Sequence, residues 1–228
     1  MTTHATTLLA AGRALTLLPE KAAFIAASRT LLVADVHIGK AVSFRALGVP
    51  VPHGTTGETL AALTSLVARW RARRIVFLGD FLHSRRSHAA ATIAAVAEWR
   101  EAHAGLELLL VRGNHDDRAG DPPRHLRIDV VDEPLMSDGF ALCHHPRPRV
   151  GAYVLAGHLH PCVNLGGRGW DHLRLPCFWF GDEVGVLPAF GAFTGMHPIR
   201  AGAGERVYAI ADGTVAKVPS AERCRAAA

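Results

Sequence analysis

The stretch "LELLLVRGNHDDR", residues 106–118, passes from an aliphatic series straight into Gly113, Asn114, His115, Asp116 and Asp117. Its first part has the length and composition of a buried strand. Its second part offers an amide oxygen, an imidazole and two carboxylates in succession, which are metal donors and proton carriers. Gly113 is expected to let the backbone turn where the strand ends.

Two earlier runs share this design. "TLLVADVH" (30–37) and "RIVFLGD" (74–80) are apolar, then polar. Between them Thr55 and Glu58 have capping-box spacing, and Leu60, Leu63, Val67 and Trp70 recur at helical intervals, which predicts a helix from about Thr56 to Arg73. A second helix is predicted over Ala89 to His103, with Ile93, Val96 and Trp99 in register and Gly105 as a stop. Strand, helix, strand, helix, strand implies an α/β layer with parallel pairing. The polar endings then share the C-terminal edge of the sheet, where ligands of such sheets bind. After Asp121 the pattern changes to strands at 139–145, 152–160, 177–180 and 206–215, which predicts a second, more antiparallel sheet packed on the first. The fold class expected is a layered α/β (α+β) arrangement in one domain over residues 1–218, with a flexible tail at 219–228.

The chain has 228 residues, 49% of them apolar, enough to bury a sizeable core. A net charge of +5 favours an anionic partner without naming it. Cys143, Cys162, Cys177 and Cys224 show no CxxC spacing, and a reducing compartment suits them. No secretory leader is recognised, and the uncharged stretch Val184 to Met196 is too short to span a bilayer. A cytoplasmic protein with no membrane partner is expected.

Collected together, the endings are Asp35 with His37, Asp80 with His83, Asn114 with His115 and Asp116, His144 with His145, and His158 with His160. Each pair alone reads as easily as a polar strand terminus bonded to a loop. All five follow apolar runs, however, and together they supply carboxylates, an amide and imidazoles without a thiolate pair. That donor set suits Mn²⁺, Fe or Zn²⁺ more than a Cys-rich structural site. The donors also exceed what one tetrahedral ion needs, so two divalent ions are expected.

The ordered set DxH, GDxxH, GNHD, a His after a strand and GHxH, over residues 35–160, resembles the calcineurin-like metallophosphoesterase superfamily. The resemblance implies a sandwich of two mixed sheets flanked by helices. It also implies that Asp35, His37 and His160 hold one ion, that Asn114, His144 and His158 hold the other, and that Asp80 bridges them. His115 would sit beside the substrate phosphate with Asp116 orienting its imidazole. His83 stands where the superfamily often has Asp, and "CHHP" leaves either His144 or His145 as the ligand, with His144 preferred.

Such a site hydrolyses phosphoesters, because paired ions activate water and steady the attacking and leaving oxygens. His115 is the expected proton donor to the leaving group. His83 is expected either to contact the scissile phosphate or to hydrogen-bond a ligand. The stretches 31–52, 79–84 and 157–163 are similar to bacterial ligase-associated DNA-damage-response endonucleases. That likeness implies a Mn²⁺-dependent endonuclease preferring single-stranded DNA, working in repair beside ligase or helicase partners. Lys40, Arg45, Arg147 and Arg149 are then either contacts to flanking phosphates or ordinary solvated charge. Two alternatives stand beside this reading: a phosphodiesterase or phosphatase for nucleotides or small esters, and a metal-bearing scaffold in a repair complex.

Overall fold

The computed structural model describes residues 4–51, 54–166 and 172–219. Most of the expected tail, 220–228, lies outside the described residues. Seven strands form the first sheet in sequence order: β1 (Thr6–Ala10), β2 (Arg13–Leu18), β3 (Ala22–Ile25), β4 (Thr30–Val33), β5 (Arg74–Leu78), β6 (Glu107–Val111) and β7 (Asp129–Val131). β1 to β4 form an antiparallel meander, and β4 to β7 run parallel. Among the described residues, four α-helices lie along this half of the chain: α1 (Lys40–Ala46), α2 (Thr55–Trp70), α3 (Ala90–Ala102) and the short α4 (Asn114–Ala119).

The second sheet holds β8 (Leu135–Ser137), β9 (Phe140–Leu142), β10 (Tyr153–Ala156), β11 (Pro161–Gly166), β12 (His172–Phe180), β13 (Val184–Val186), β14 (His197–Pro198), β15 (Arg206–Ala211) and β16 (Thr214–Lys217). Its middle is parallel, since β10 pairs in parallel with both β9 and β13. Most of its other pairings are antiparallel, so the second sheet is the more antiparallel of the two, as expected, while its parallel strands include those nearest the site.

Strand alternation explains the layering. Leu31, Val33, Ile75 and Phe77 face α2 and α3, packing with Leu60, Leu63, Leu66 and Val96. Their neighbours Leu32, Ala34, Val76 and Leu78 face the other way, against Leu142, Leu155, Phe178 and Phe180 of the second sheet. Helices, sheet and sheet thus stack in three layers, and the two sheets are mixed, as the fold class requires.

Several local expectations are corrected. α2 ends at Trp70 because Arg71 turns left-handed, and it starts after Gly54 with no side-chain cap, so Thr55 and Glu58 form no capping box. The run 206–215 is a hairpin rather than one strand: Asp212 and Gly213 take positive φ and return the chain from β15 to β16. Gly113 has φ −104° and ψ 172°, extended backbone that any residue adopts. What demands glycine there is space, since a Cβ would stand 2.4 Å from Asp80 Oδ1.

Candidate metal centre

β4, β5 and β6 of the first sheet and β9 and β10 of the second all point their C-terminal ends at one place. Asp35 and His37 follow β4, Asp80 follows β5, and Asn114 opens α4 just past β6. His144 follows β9, and His158 and His160 follow β10. The loops after β4 and β5 continue to pair beyond their strands: the amides of Asp35, His37 and Ile38 donate to the carbonyls of Gly79, Asp80 and Phe81. That pairing fixes the carboxylates of Asp35 and Asp80 side by side.

Five of the seven expected donors, Asp35, His37, Asp80, His158 and His160, have left-handed φ between 49° and 70°. Such backbone is uncommon in residues with a side chain, and it persists where surrounding contacts hold it, typically at functional sites. Gly79, at φ 79°, must lack a side chain because a Cβ would meet the His144 ring 2.1 Å away.

His144 is fully buried. Its Nδ1 lies 3.0 Å from the Leu78 carbonyl oxygen, which places the proton on Nδ1 and leaves a lone pair on Nε2. That Nε2 lies 3.0 Å from Asn114 Oδ1, 3.0 Å from His158 Nδ1 and 3.5 Å from Asp80 Oδ1. Opposite, Asp35 Oδ1 and His160 Nε2 are 3.5 Å apart, both buried and without a hydrogen-bond partner among the described residues. The Gly195 carbonyl takes the Nδ1 proton of His160, so its Nε2 also presents a lone pair. With the Nδ1 protons of His144 and His160 directed outward onto carbonyls, lone pairs face a buried space beside the Asp35 and Asp80 carboxylates, an arrangement suited to a cation. Ligand atoms of Asp35, His37 and His160, and of Asp35, Asp80 and His144, lie within 4.8 Å of one another; so do those of His144, His145 and His158, and of His37, His83 and His115.

Protonation agrees for three of the imidazoles; His160 departs, its burial outweighed by Asp35 and the Gly195 carbonyl, which together raise it. Burial, then Lys40 and the neighbouring imidazoles, pushes His37 down to about 2. Burial likewise lowers His144 and His158. Neutral imidazoles keep the lone pairs that a metal needs. Burial, reinforced by Asp35, raises Asp80, a strain that a nearby cation relieves.

Asp116 does not do what the sequence suggested. Its buried carboxylate accepts the amides of Leu82 at 2.9 Å, Gly113 at 3.0 Å and Phe81 at 3.3 Å, so it ties the loop after β5 to the loop after β6. The His115 ring is oriented by the His83 carbonyl, 2.8 Å from its Nδ1, and by stacking on the His83 ring at 4.9 Å. The backbone amide of His115 donates to Asp80 Oδ1.

Glu133 escaped notice in the sequence, where nothing in its spacing distinguishes it. Its Oε2 accepts the amides of both His144 and His145, each at 2.9 Å. Its Oε1 faces His145 Nδ1 at 3.2 Å and Arg149 at 3.5 Å. Arg149 therefore lies beside a carboxylate, which matches part of its charge. Lys40 is half-buried beside the donors, with its Nζ 5.7 Å from the Phe44 ring centroid. Arg45 and Arg147 stand exposed on α1 and on the loop after His145.

The chain is similar to the Pseudomonas putida nuclease MPE: 46% of residues are identical, the match covers 94% of this chain and 100% of that one, and the TM-score is 0.84. A phosphoesterase from E. coli, Yfce, overlaps at 18% identity over 83% of this chain and 97% of that one, with a TM-score of 0.42. No protein-family model and no curated protein matches the chain. No described helix is long and apolar enough to cross a membrane.

Proposed function

The chain belongs to the metallophosphoesterase family of the Pseudomonas putida nuclease MPE, and from that membership we propose a metal-dependent phosphodiesterase that cuts DNA internally, preferring single strands, in DNA repair. The observation that carries the reading is the convergence of Asn114 Oδ1, His144 Nε2 and His158 Nδ1 beside Asp35 Oδ1 and His160 Nε2, two buried atoms without a hydrogen-bond partner among the described residues. In this reading Asp35, His37 and His160 hold one divalent ion, Asn114, His144 and His158 a second, and Asp80 lies between. The oxygen-and-imidazole set suits Mn²⁺, with Fe and Zn²⁺ as competitors. Bound there, the ions supply Lewis-acid activation of water and neutralise phosphate charge.

The chain's own residues do the rest. Asp116 locks the two loops that carry Asp80 and Asn114, so the donors keep their spacing without reorganisation. His115 donates a hydrogen bond from Nδ1 to the His83 carbonyl and keeps Nε2, 3.9 Å from Asp80 Oδ2, for exchange with substrate. Protonated at Nε2, it hands a proton to the departing alkoxide. His83, held down to about 4 by burial, Lys40 and His115, stays neutral and walls the His115 ring.

Circular single-stranded DNA tests the reading, because it has no ends. Metal-stripped protein given Mn²⁺ should linearise and then shorten it, and Asp80→Ala protein should not. An intact circle, alongside Asp80-dependent hydrolysis of a small aryl diester, would keep the phosphoesterase and remove DNA.

A further inference from the structure

Beside His83 and His115 the surface opens into a cavity of about 550 Å³ whose remaining walls are Ser84, Arg85, Arg86 and Arg118. That volume falls within the roughly 300–1,000 Å³ of ligand clefts. Arg85 and Arg86 belong to the single turn of 3₁₀ helix that follows His83, and Arg118 belongs to α4, which begins at Asn114. The arginines are therefore carried by direct continuations of the two loops that supply the donors.

All three are exposed, and among the described residues none has a carboxylate partner. Arg69, Arg74, Arg127 and Arg149 each have one, and Arg112 has three. The turn beneath them is nonetheless fixed. Ser87 is fully buried, its Oγ accepts the amides of His83 and Ser84, and Ser43 Oγ lies 2.8 Å from Ser84 Oγ. Arg85 Nε donates to the Arg118 carbonyl at 3.3 Å, which joins the two elements.

Three unneutralised guanidinium groups on a held backbone, next to the proton donor, are arranged for several phosphates rather than one. The cavity lining contains no Phe, Tyr or Trp on which bases would stack, and its charge is all positive, which favours the phosphate backbone over the bases as the bound part of the strand. We propose that this groove takes the sugar–phosphate backbone of the substrate strand beyond the scissile phosphate on the His115 side, giving length-dependent and sequence-indifferent cleavage. The proposal rests on the DNA reading above.

The test compares holoenzyme with the triple variants R85A/R86A/R118A and R85K/R86K/R118K on a single-stranded oligonucleotide and on bis(p-nitrophenyl) phosphate, which is too small to enter the groove while reacting. The alanine variant should lose at least about 10-fold in kcat/KM on DNA and stay within about twofold on the aryl diester. Its log–log salt dependence on DNA should flatten by about 2, from about 0.7 per phosphate contact on a single strand. The lysine variant should recover most of the DNA activity. Unchanged DNA kinetics, or equal losses on both substrates, would overturn the groove. A wild-type enzyme that hydrolyses the aryl diester but leaves DNA intact would sink the DNA reading itself, and the groove with it.

Discussion

His144 Nε2 and Asn114 Oδ1 face each other at 3.0 Å, although the His144 proton sits on the opposite nitrogen, against the Leu78 carbonyl. Two acceptors held this close repel, and a cation bound to both would relieve that repulsion. His145, by contrast, spends its Nδ1 and its amide on Glu133.

The "HH" pair should therefore split in function. His144→Ala is expected to lower kcat on an aryl diester by more than about 100-fold, beyond the range of a residue that only positions a ligand. His145→Ala should cost no more than about 100-fold. Elemental analysis should show metal lost from the first variant and retained by the second. The reverse order would move the ligand to His145.

Gly113→Ala separates two explanations of one glycine. At φ −104° an alanine is conformationally welcome and would stabilise by about 0.4–1 kcal/mol through the unfolded state. The space is closed, however, because its Cβ would stand 2.4 Å from Asp80 Oδ1 and 2.5 Å from the Asp80 nitrogen. Overpacking of this kind costs about 1–3 kcal/mol. Asp80 must shift, and a displacement near 1 Å can cost about 100-fold in rate. A thermal melt and a kcat measurement decide it; a stabilised, fully active variant would restore the flexible-turn account.

Acid should destabilise the metal-free protein. His83 is held down to about 4 and His37 to about 2, both chiefly by burial, from an ordinary value of 6.5. As pH falls below 6.5 the unfolded chain binds protons that the folded chain refuses, so this contribution to stability, present above 6.5, is lost on the way down to the folded values. The melting temperature of stripped protein should fall between pH 7 and pH 5. His83→Gln should make that fall shallower, since one of the refused protons is gone. An unchanged slope would mean that His83 titrates normally.

The donor set was legible because buried parallel strands are short, apolar and end abruptly, so five chemically loaded endings stood out in order. What was missed has identifiable causes. The β1–β2 hairpin turns at Ala11 and Gly12, where a positive φ at Ala11 is not signalled by the residue type. The Asp212–Gly213 turn carried a hairpin signal inside what read as one strand. Glu133 and Asp116 act through backbone amides of distant loops, and one-dimensional spacing does not record such contacts.

His115 is the residue whose role chemistry can isolate. Its Nδ1 anchors on the His83 carbonyl at 2.8 Å, and only Nε2 can serve the substrate. His115→Asn places an amide nitrogen near the Nδ1 position, so the anchor survives while the exchanging atom is deleted. General acid catalysis contributes about 10²–10⁴-fold. DNA, whose leaving group is an alkoxide, should lose about that much. Bis(p-nitrophenyl) phosphate should lose far less, because nitrophenolate departs without a proton. Parallel losses on both substrates would show instead that His115 stabilises phosphate charge, since that role is indifferent to the leaving group.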